Sequence, residues 1–299
     1  MGLHHGRSRG PPPLRVACNE GRGRRHRRRQ VVGEIPDTAG VHGFAIAPEL
    51  GRGFSSNGQA NTSTIVDLET LKPLGTVNTG GNPDAILYEP TRQEVYTMNG
   101  SGKSATVFAA QTGKVVATIA LGGKPEAVAQ DVATNRLFVN LEDTGAIAVI
   151  DSKTHTLVAT WPLTGCEEPT GLGYDAKSHR LFSACANRVM AMTDSTSGKR
   201  VATVPIGNGA DGAAFDSATG LAFASNGADG TMTIAHLDNP NTLTVVQTLS
   251  TLVSGRTMIL DPVSHNIFVP AAKPVPNPSG RGRPQPVPGT FKVLMYGMR

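Results

Sequence analysis

His42, Asp84, Glu126, Thr170, Asp211 and Arg256 recur along the chain at a nearly constant interval, each at the entry to a short apolar run, with Glu167 and Glu168 just before Thr170. Carboxylates and a histidine brought onto one axis could hold a divalent cation through hard oxygen ligands, and Arg256 could fix an anionic group. A second set falls three residues after an aromatic: Asn57, Asn99 and Asn226, with Asn140, Glu142, Asp143 and Asn187 near the corresponding points. The competing reading is that both sets satisfy loop backbone groups and recur because the surrounding element recurs. Residue by residue that reading is slightly the more economical, so the elements that position these residues decide their worth.

Those elements repeat. Gly43-Phe-Ala-Ile-Ala-Pro48, Ala85-Ile-Leu-Tyr-Glu-Pro90, Ala127-Val-Ala-Gln-Asp131, Gly171-Leu-Gly-Tyr-Asp175, Gly212-Ala-Ala-Phe-Asp216 and Thr257-Met-Ile-Leu-Asp-Pro262 align. Each precedes a turn and an aromatic, Phe54, Tyr96, Phe138, Phe182, Phe223 and Phe268, spaced by 42, 42, 44, 41 and 45 residues. A third segment follows (Ser63–Leu68, Ala105–Phe108, Ile147–Asp151, Val189–Met192, Thr231–Ile234, Phe291–Met295), and in five repeats a fourth, such as Val115-Val-Ala-Thr-Ile119. Short β-branched runs bounded by Gly, Asn, Asp and Pro are strand-and-turn chemistry. Four antiparallel strands at this period predict an all-β chain of six β-propeller blades. In a propeller, the loop entering each innermost strand lies at the channel mouth, so the first set of residues forms a ring. The last repeat stops after its third strand, and Val31-Val-Gly-Glu-Ile35 is the expected donor of its fourth, removing a sheet edge. Residues 272–289, with six prolines, predict an extended, solvated loop.

These phrases, Gly81-Asn-Pro-Asp-Ala-Ile86, Gly113-Lys-Val-Val-Ala-Thr-Ile119, Asn135-Arg-Leu-Phe-Val-Asn140 and Gly145-Ala-Ile-Ala-Val-Ile-Asp151 above all, resemble the YVTN-repeat β-propellers, relatives by fold of surface-layer and lactonase-like propellers. The likeness covers about residues 31–299. It implies an exported, periplasmic or secreted, non-enzymatic binding or scaffold protein of seven blades, with an alternative as a lactonase-like hydrolase using a divalent metal at the carboxylate ring. The chain departs from the family in showing six blades and in opening without the apolar run of a secretory signal. Read one nucleotide later, permitted codons for residues 1–30 can encode a further blade ending where Val31 continues it. The expectation is therefore a frameshifted first blade at 1–30 and a propeller at 31–299.

Charge supports this division. The formal charge is +5, yet residues 1–30 hold nine arginines against Glu20, and residues 31–272 carry 14 basic and 22 acidic groups. An acidic body with basic ends favours cations and small polar ligands over nucleic acid. The run Arg22–Arg29 has no interleaved aromatics for base stacking. Gly207-Asn-Gly-Ala-Asp-Gly212 matches a dinucleotide fingerprint but opens a strand, where that motif must open a helix. No hydrolase, zincin, P-loop or EF-hand motif occurs, and no apolar stretch is long enough to span a bilayer. Cys166 and Cys185 fall in one repeat; two small buried thiols are the expected state, with a disulfide as the alternative in an oxidising compartment. The expected partner is a small molecule, ion or protein at the channel face of a monomer, with a divalent cation the one candidate cofactor. The expected ligand-binding set is His42, Asp84, Glu126, Glu168, Asp211, Arg256, Asn57, Asn99 and Asn226.

Overall fold

The computed structural model describes residues 14–18, 30–276 and 285–297. The fold is all-β, and its six antiparallel blades bear out the repeat. The helical content among the described residues is two single turns, Pro48–Leu50 and Glu142–Thr144. Two compact units divide the chain, Met1–Gly122 and Gly123–Arg299.

The first unit holds a hairpin and two blades. Strand β1 (Leu14–Cys18) pairs antiparallel with β2 (Gln30–Ile35). Blade one is β3 (Val41–Ala47), β4 (Arg52–Asn57), β5 (Thr62–Asp67) and β6 (Pro73–Asn78). Blade two is β7 (Pro83–Glu89), β8 (Glu94–Asn99), β9 (Ser104–Ala109) and β10 (Val115–Ala120). Val31–Ile35 was expected to complete the last blade; it pairs antiparallel with Leu14–Cys18 instead, the strand before it in sequence. The remainder of the basic segment, 1–13 and 19–29, lies outside the described residues.

The second unit holds four blades. Blade three is β11 (Pro125–Asp131), β12 (Arg136–Leu141), β13 (Ala146–Asp151) and β14 (Thr156–Pro162). Blade four is β15 (Pro169–Asp175), β16 (Arg180–Cys185), β17 (Val189–Asp194) and β18 (Arg200–Pro205). Blade five is β19 (Ala210–Asp216), β20 (Leu221–Asn226), β21 (Thr231–Asn239) and β22 (Thr242–Ser250). Blade six has three strands, β23 (Ile259–Asp261), β24 (Asn266–Ala271) and β27 (Lys292–Tyr296), in that order. Between β24 and β27 the proline-rich insertion is zipped at its neck by β25 (Pro274–Val275) on β26 (Gln285–Pro286), more structure than a solvated loop requires. Its residues 277–284 lie outside the described residues.

Every blade is a meander because its turns are self-contained. Asp67, Asp151 and Asp194 close third-to-fourth turns, and Asp131, Asp175 and Asp261 close first-to-second turns, by accepting backbone N–H groups two or three residues on. The core lies between blades. Phe54 stacks on Tyr88 (ring centroids 6.4 Å apart), Phe138 meets Tyr174 (5.5 Å) and Phe182 lies flat on Phe215 (4.5 Å), each pair crossing from one blade to the next. Phe54, Phe138 and Phe182 are wholly buried; each such burial contributes about 2 to 3 kcal/mol. Where β15 meets β19, a Cβ on Gly171 would stand 2.2 Å from the Ala213 nitrogen, so glycine there sets how closely two inner strands approach.

Arginines strap adjacent blades at the strand ends. Arg52 donates to the carbonyls of Ala110 (3.1 Å) and Gln111, and Arg180 donates to Pro240 O (2.6 Å) and to Asp194 (2.7 Å). Burial raises the Asp194 carboxyl, but hydrogen bonds from Thr196 and Ser197 outweigh it and hold the group at about 2.

Cys166 and Cys185, expected as buried thiols, form a disulfide with a Cα–Cα distance of 5.3 Å. The physical reason is register: the turn before β15 folds Cys166 back against the end of β16, where Pro169 pairs with Cys185. Both residues are buried.

Two outcomes follow from these contacts. Peptide mapping without reductant should recover a linked Cys166–Cys185 peptide, and Cys185→Ser should cost about 3 kcal/mol in urea unfolding, the closure entropy of a loop of 19 residues' separation. Because its folded-state carboxyl lies below the unfolded value of about 3.9, Asp194 contributes stability that is complete above pH 4 and is lost as pH falls towards 2. Asp194→Asn should flatten the acid side of the stability profile and lower stability at pH 7 by about 1 kcal/mol after allowing for solvent screening.

Candidate functional site

The antiparallel meander brings the start of each inner strand and the end of each second strand to the same edge of the blade: Val41 opposes Asn57, Pro83 opposes Asn99 and Ala210 opposes Asn226. Both predicted sets therefore share one rim within each unit. Their environments differ sharply.

The inner-strand set is half-exposed and arranged as ion pairs. In the first unit, His42 Nδ1 lies 3.3 Å from Asp84 Oδ1. In the second, Arg256 Nε lies 3.5 Å from Asp211 Oδ2, with the two side chains 39% and 21% exposed. Lys124 Nζ contacts Glu126 Oε1 at 2.7 Å and also Glu142. Burial lowers the Lys124 ammonium's pKa, but the hydrogen bonds it donates to both carboxylates outweigh this, leaving the group held above the ordinary lysine value. Sequence reasoning missed Lys124, although a cation two residues before a ring carboxylate was the signal available. Glu168 is exposed with φ 45°, in the left-handed region that side chains seldom occupy, immediately before Pro169. Asn187, near the ring, accepts the Glu167 N–H (3.2 Å) and donates to Gly165 O (3.1 Å).

Asn57, Asn99 and Asn226 sit beneath this rim rather than on it; all three are fully buried. Each donates through Nδ2 to two third-strand hydroxyls: Asn57 to Thr62 (3.1 Å) and Thr64 (2.9 Å), Asn99 to Ser104 (3.1 Å) and Thr106 (3.0 Å), Asn226 to Thr231 (3.1 Å) and Thr233 (3.0 Å). The hydroxyls then reach the rim loops: Thr64 donates to Asp37 O, and Thr106 accepts the Gly80 N–H. The asparagines are thus supports of the loops that carry the charged residues.

The next residue type in the scaffold links blades. Ser56 accepts the Gly43 N–H (2.9 Å) and donates to Asp84 O; Ser225 accepts the Gly212 N–H (3.2 Å) and donates to Arg256 O. Asn140 does the same work in blade three, donating to Thr170 O and Gly171 O (3.1 and 3.0 Å) while accepting from Ser183 (3.0 Å). The backbone of each of these rim residues is therefore fixed by the preceding blade.

Chemically, the rim offers paired charges at hydrogen-bonding height. It does not suit a resident divalent cation: Glu126 and Asp211 face Lys124 and Arg256, and among the described residues no three His, Cys, Asp or Glu side chains gather around a common point. No helix among the described residues is long and apolar enough to cross a membrane.

No family model matches the chain, and no curated protein sequence does. Among solved structures it is similar to a chain described as Kuenenia stuttgartiensis hydrazine synthase, at 15% identity and a TM-score of 0.58, over 87% of this chain and 96% of that one. That likeness shows a shared β-propeller fold.

The repeat itself yields a test of the buried network. Asn57 Oδ1 accepts from Ser55 (2.8 Å) and Asn99 Oδ1 from Thr97 (3.1 Å), but blade five carries Ala224 there, and Asn226 Oδ1 is buried without a partner. Ala224→Ser should supply the donor and stabilise the chain by about 1 kcal/mol in urea unfolding.

Proposed function

We propose that this chain is a non-catalytic binding propeller of the YVTN-repeat type, taking a small polar ligand at the charged rim of its inner strands. The observation that carries this reading is the Asp211–Arg256 pair, opposite charges held by adjacent blades and still partly open to solvent. A ligand with both a donor and an acceptor can insert between such partners and satisfy each, whereas a bare cation or anion would have to displace one of them. Lys124 with Glu126 and Glu142 supplies a second polar cluster in the same unit. Export fits the buried Cys166–Cys185 disulfide, since such bonds persist in oxidising compartments.

The test is a thermal-shift screen of amino acids, sugars and hydroxy acids on the full chain, followed by calorimetric titration of the hits. Binding should weaken about 10- to 100-fold in Arg256→Gln and in Asp211→Asn with circular dichroism unchanged. Hits that bind both variants as tightly as the parent would contradict the rim assignment. Metal-dependent lactone hydrolysis abolished in both Glu126→Ala and Asp211→Ala would replace it with the hydrolase reading.

A further inference from the structure

The interface between blades five and six lacks what fills the comparable interfaces. The residue opening the second strand is Arg52 in blade one and Arg180 in blade four, and each reaches the outer turn of the next blade. In blade five that residue is Leu221. The inner-strand residue before the closing acid is Tyr88, Tyr174 or Phe215, stacked on an aromatic of the preceding blade. In blade six it is Leu260, packed in the cluster that contains Phe223. Blade six also has no fourth strand among the described residues.

Between the two blades lies a cleft of about 530 Å³ walled by Leu221, Phe223, Met232, Ile234, Leu249 and Ile267, with Gln247 and Tyr296 also lining it. That volume and lining fall within the range of small-molecule sites, which are mostly apolar with a few placed polar groups. Besides those two side chains it holds a histidine oriented by a carboxylate. His265 Nδ1 lies 2.9 Å from Asp216 Oδ2, and Asp216 Oδ1 accepts the Ala218 N–H at 3.1 Å. The Asp216 side chain is 4% exposed and that of His265 33%, and both line the cleft. With the carboxylate accepting at Nδ1, that nitrogen carries the hydrogen, and Nε2 of the neutral ring is an acceptor.

We propose that this cleft is a second binding site, for a small neutral aromatic molecule bearing one hydroxyl, a phenol in chemical class. Its ring packs on Phe223, as Tyr88, Tyr174 and Phe215 pack on aromatics at three other interfaces. Its hydroxyl donates to His265 Nε2. The buried Asp216 carboxylate beside the histidine disfavours an anionic head group, and Leu221, where blades one, three and four carry arginine, keeps the wall apolar. The cleft opens at the far end of β19 from Asp211, roughly 17 Å along the strand, so it is independent of the charged rim and of any ligand there.

Titration of the full chain with 2-naphthol, followed by its fluorescence, tests the assignment. Binding is expected with Kd of about 10 to 100 μM. Naphthalene, more apolar but without the hydroxyl, should bind at least about fivefold more weakly, and Leu249→Trp, which adds a ring from a half-buried position in the cleft wall, should weaken 2-naphthol at least about tenfold with circular dichroism unchanged. The parent protein failing to bind 2-naphthol at millimolar concentration, or binding naphthalene equally well, overturns the proposal. So does a folded Leu249→Trp that binds 2-naphthol as the parent does.

Discussion

A blade is a twisted sheet with two apolar faces, and it cannot bury both by itself. Everything else in this chain depends on the packing of one blade's second-strand aromatic against the inner strand of the next. Phe54 with Tyr88, Phe138 with Tyr174 and Phe182 with Phe215 are three instances of one contact. Because the aromatic and its partner lie 33 to 36 residues apart in every case, the contact constrains the length of the repeat. The glycines of β15 mark how little room the inner strands leave each other.

That packing is also what makes a rim. Once two inner strands are fixed side by side, their starting residues become neighbours, and Asp211 meets Arg256 although 45 residues separate them. The buried asparagines and the Ser56 and Ser225 clasps fix the loops on which those residues stand. Preorganised polar groups on a rigid scaffold are what a binding surface needs, because little ordering remains for the ligand to impose.

The blade was legible in the sequence because its signal is redundant: a period of about 40 residues stated six times survives any single irregular strand. Rim placement of His42, Asp84, Glu126, Asp211 and Arg256 was legible for the same reason. Their partners were not, since pairing Lys124 with Glu126 and Glu142 depends on rotamers and on β12 ending beside the loop into β11. The burial of Asn57, Asn99 and Asn226 was likewise hidden: asparagine at a strand end reads as surface chemistry until a third strand presents hydroxyls to it. The disulfide was misjudged because cysteine spacing alone does not reveal that a turn folds Cys166 back onto β16. The last blade's missing strand was visible, but the preference of Val31–Ile35 for Leu14–Cys18 was not, because the latter lies in a segment that the charge pattern sets apart.

If inter-blade packing carries the fold, protection should follow how completely each interface is filled. Native-state amide hydrogen exchange, resolved by peptide, measures this most directly. The inner strands β15 and β19, closed on Phe182 and Phe215, should exchange slowest, and β23, β24 and β27, which face the cleft at Phe223, should exchange faster by at least about two orders of magnitude. Equal protection of all blades, or a sixth blade slower than the fourth, would contradict the account.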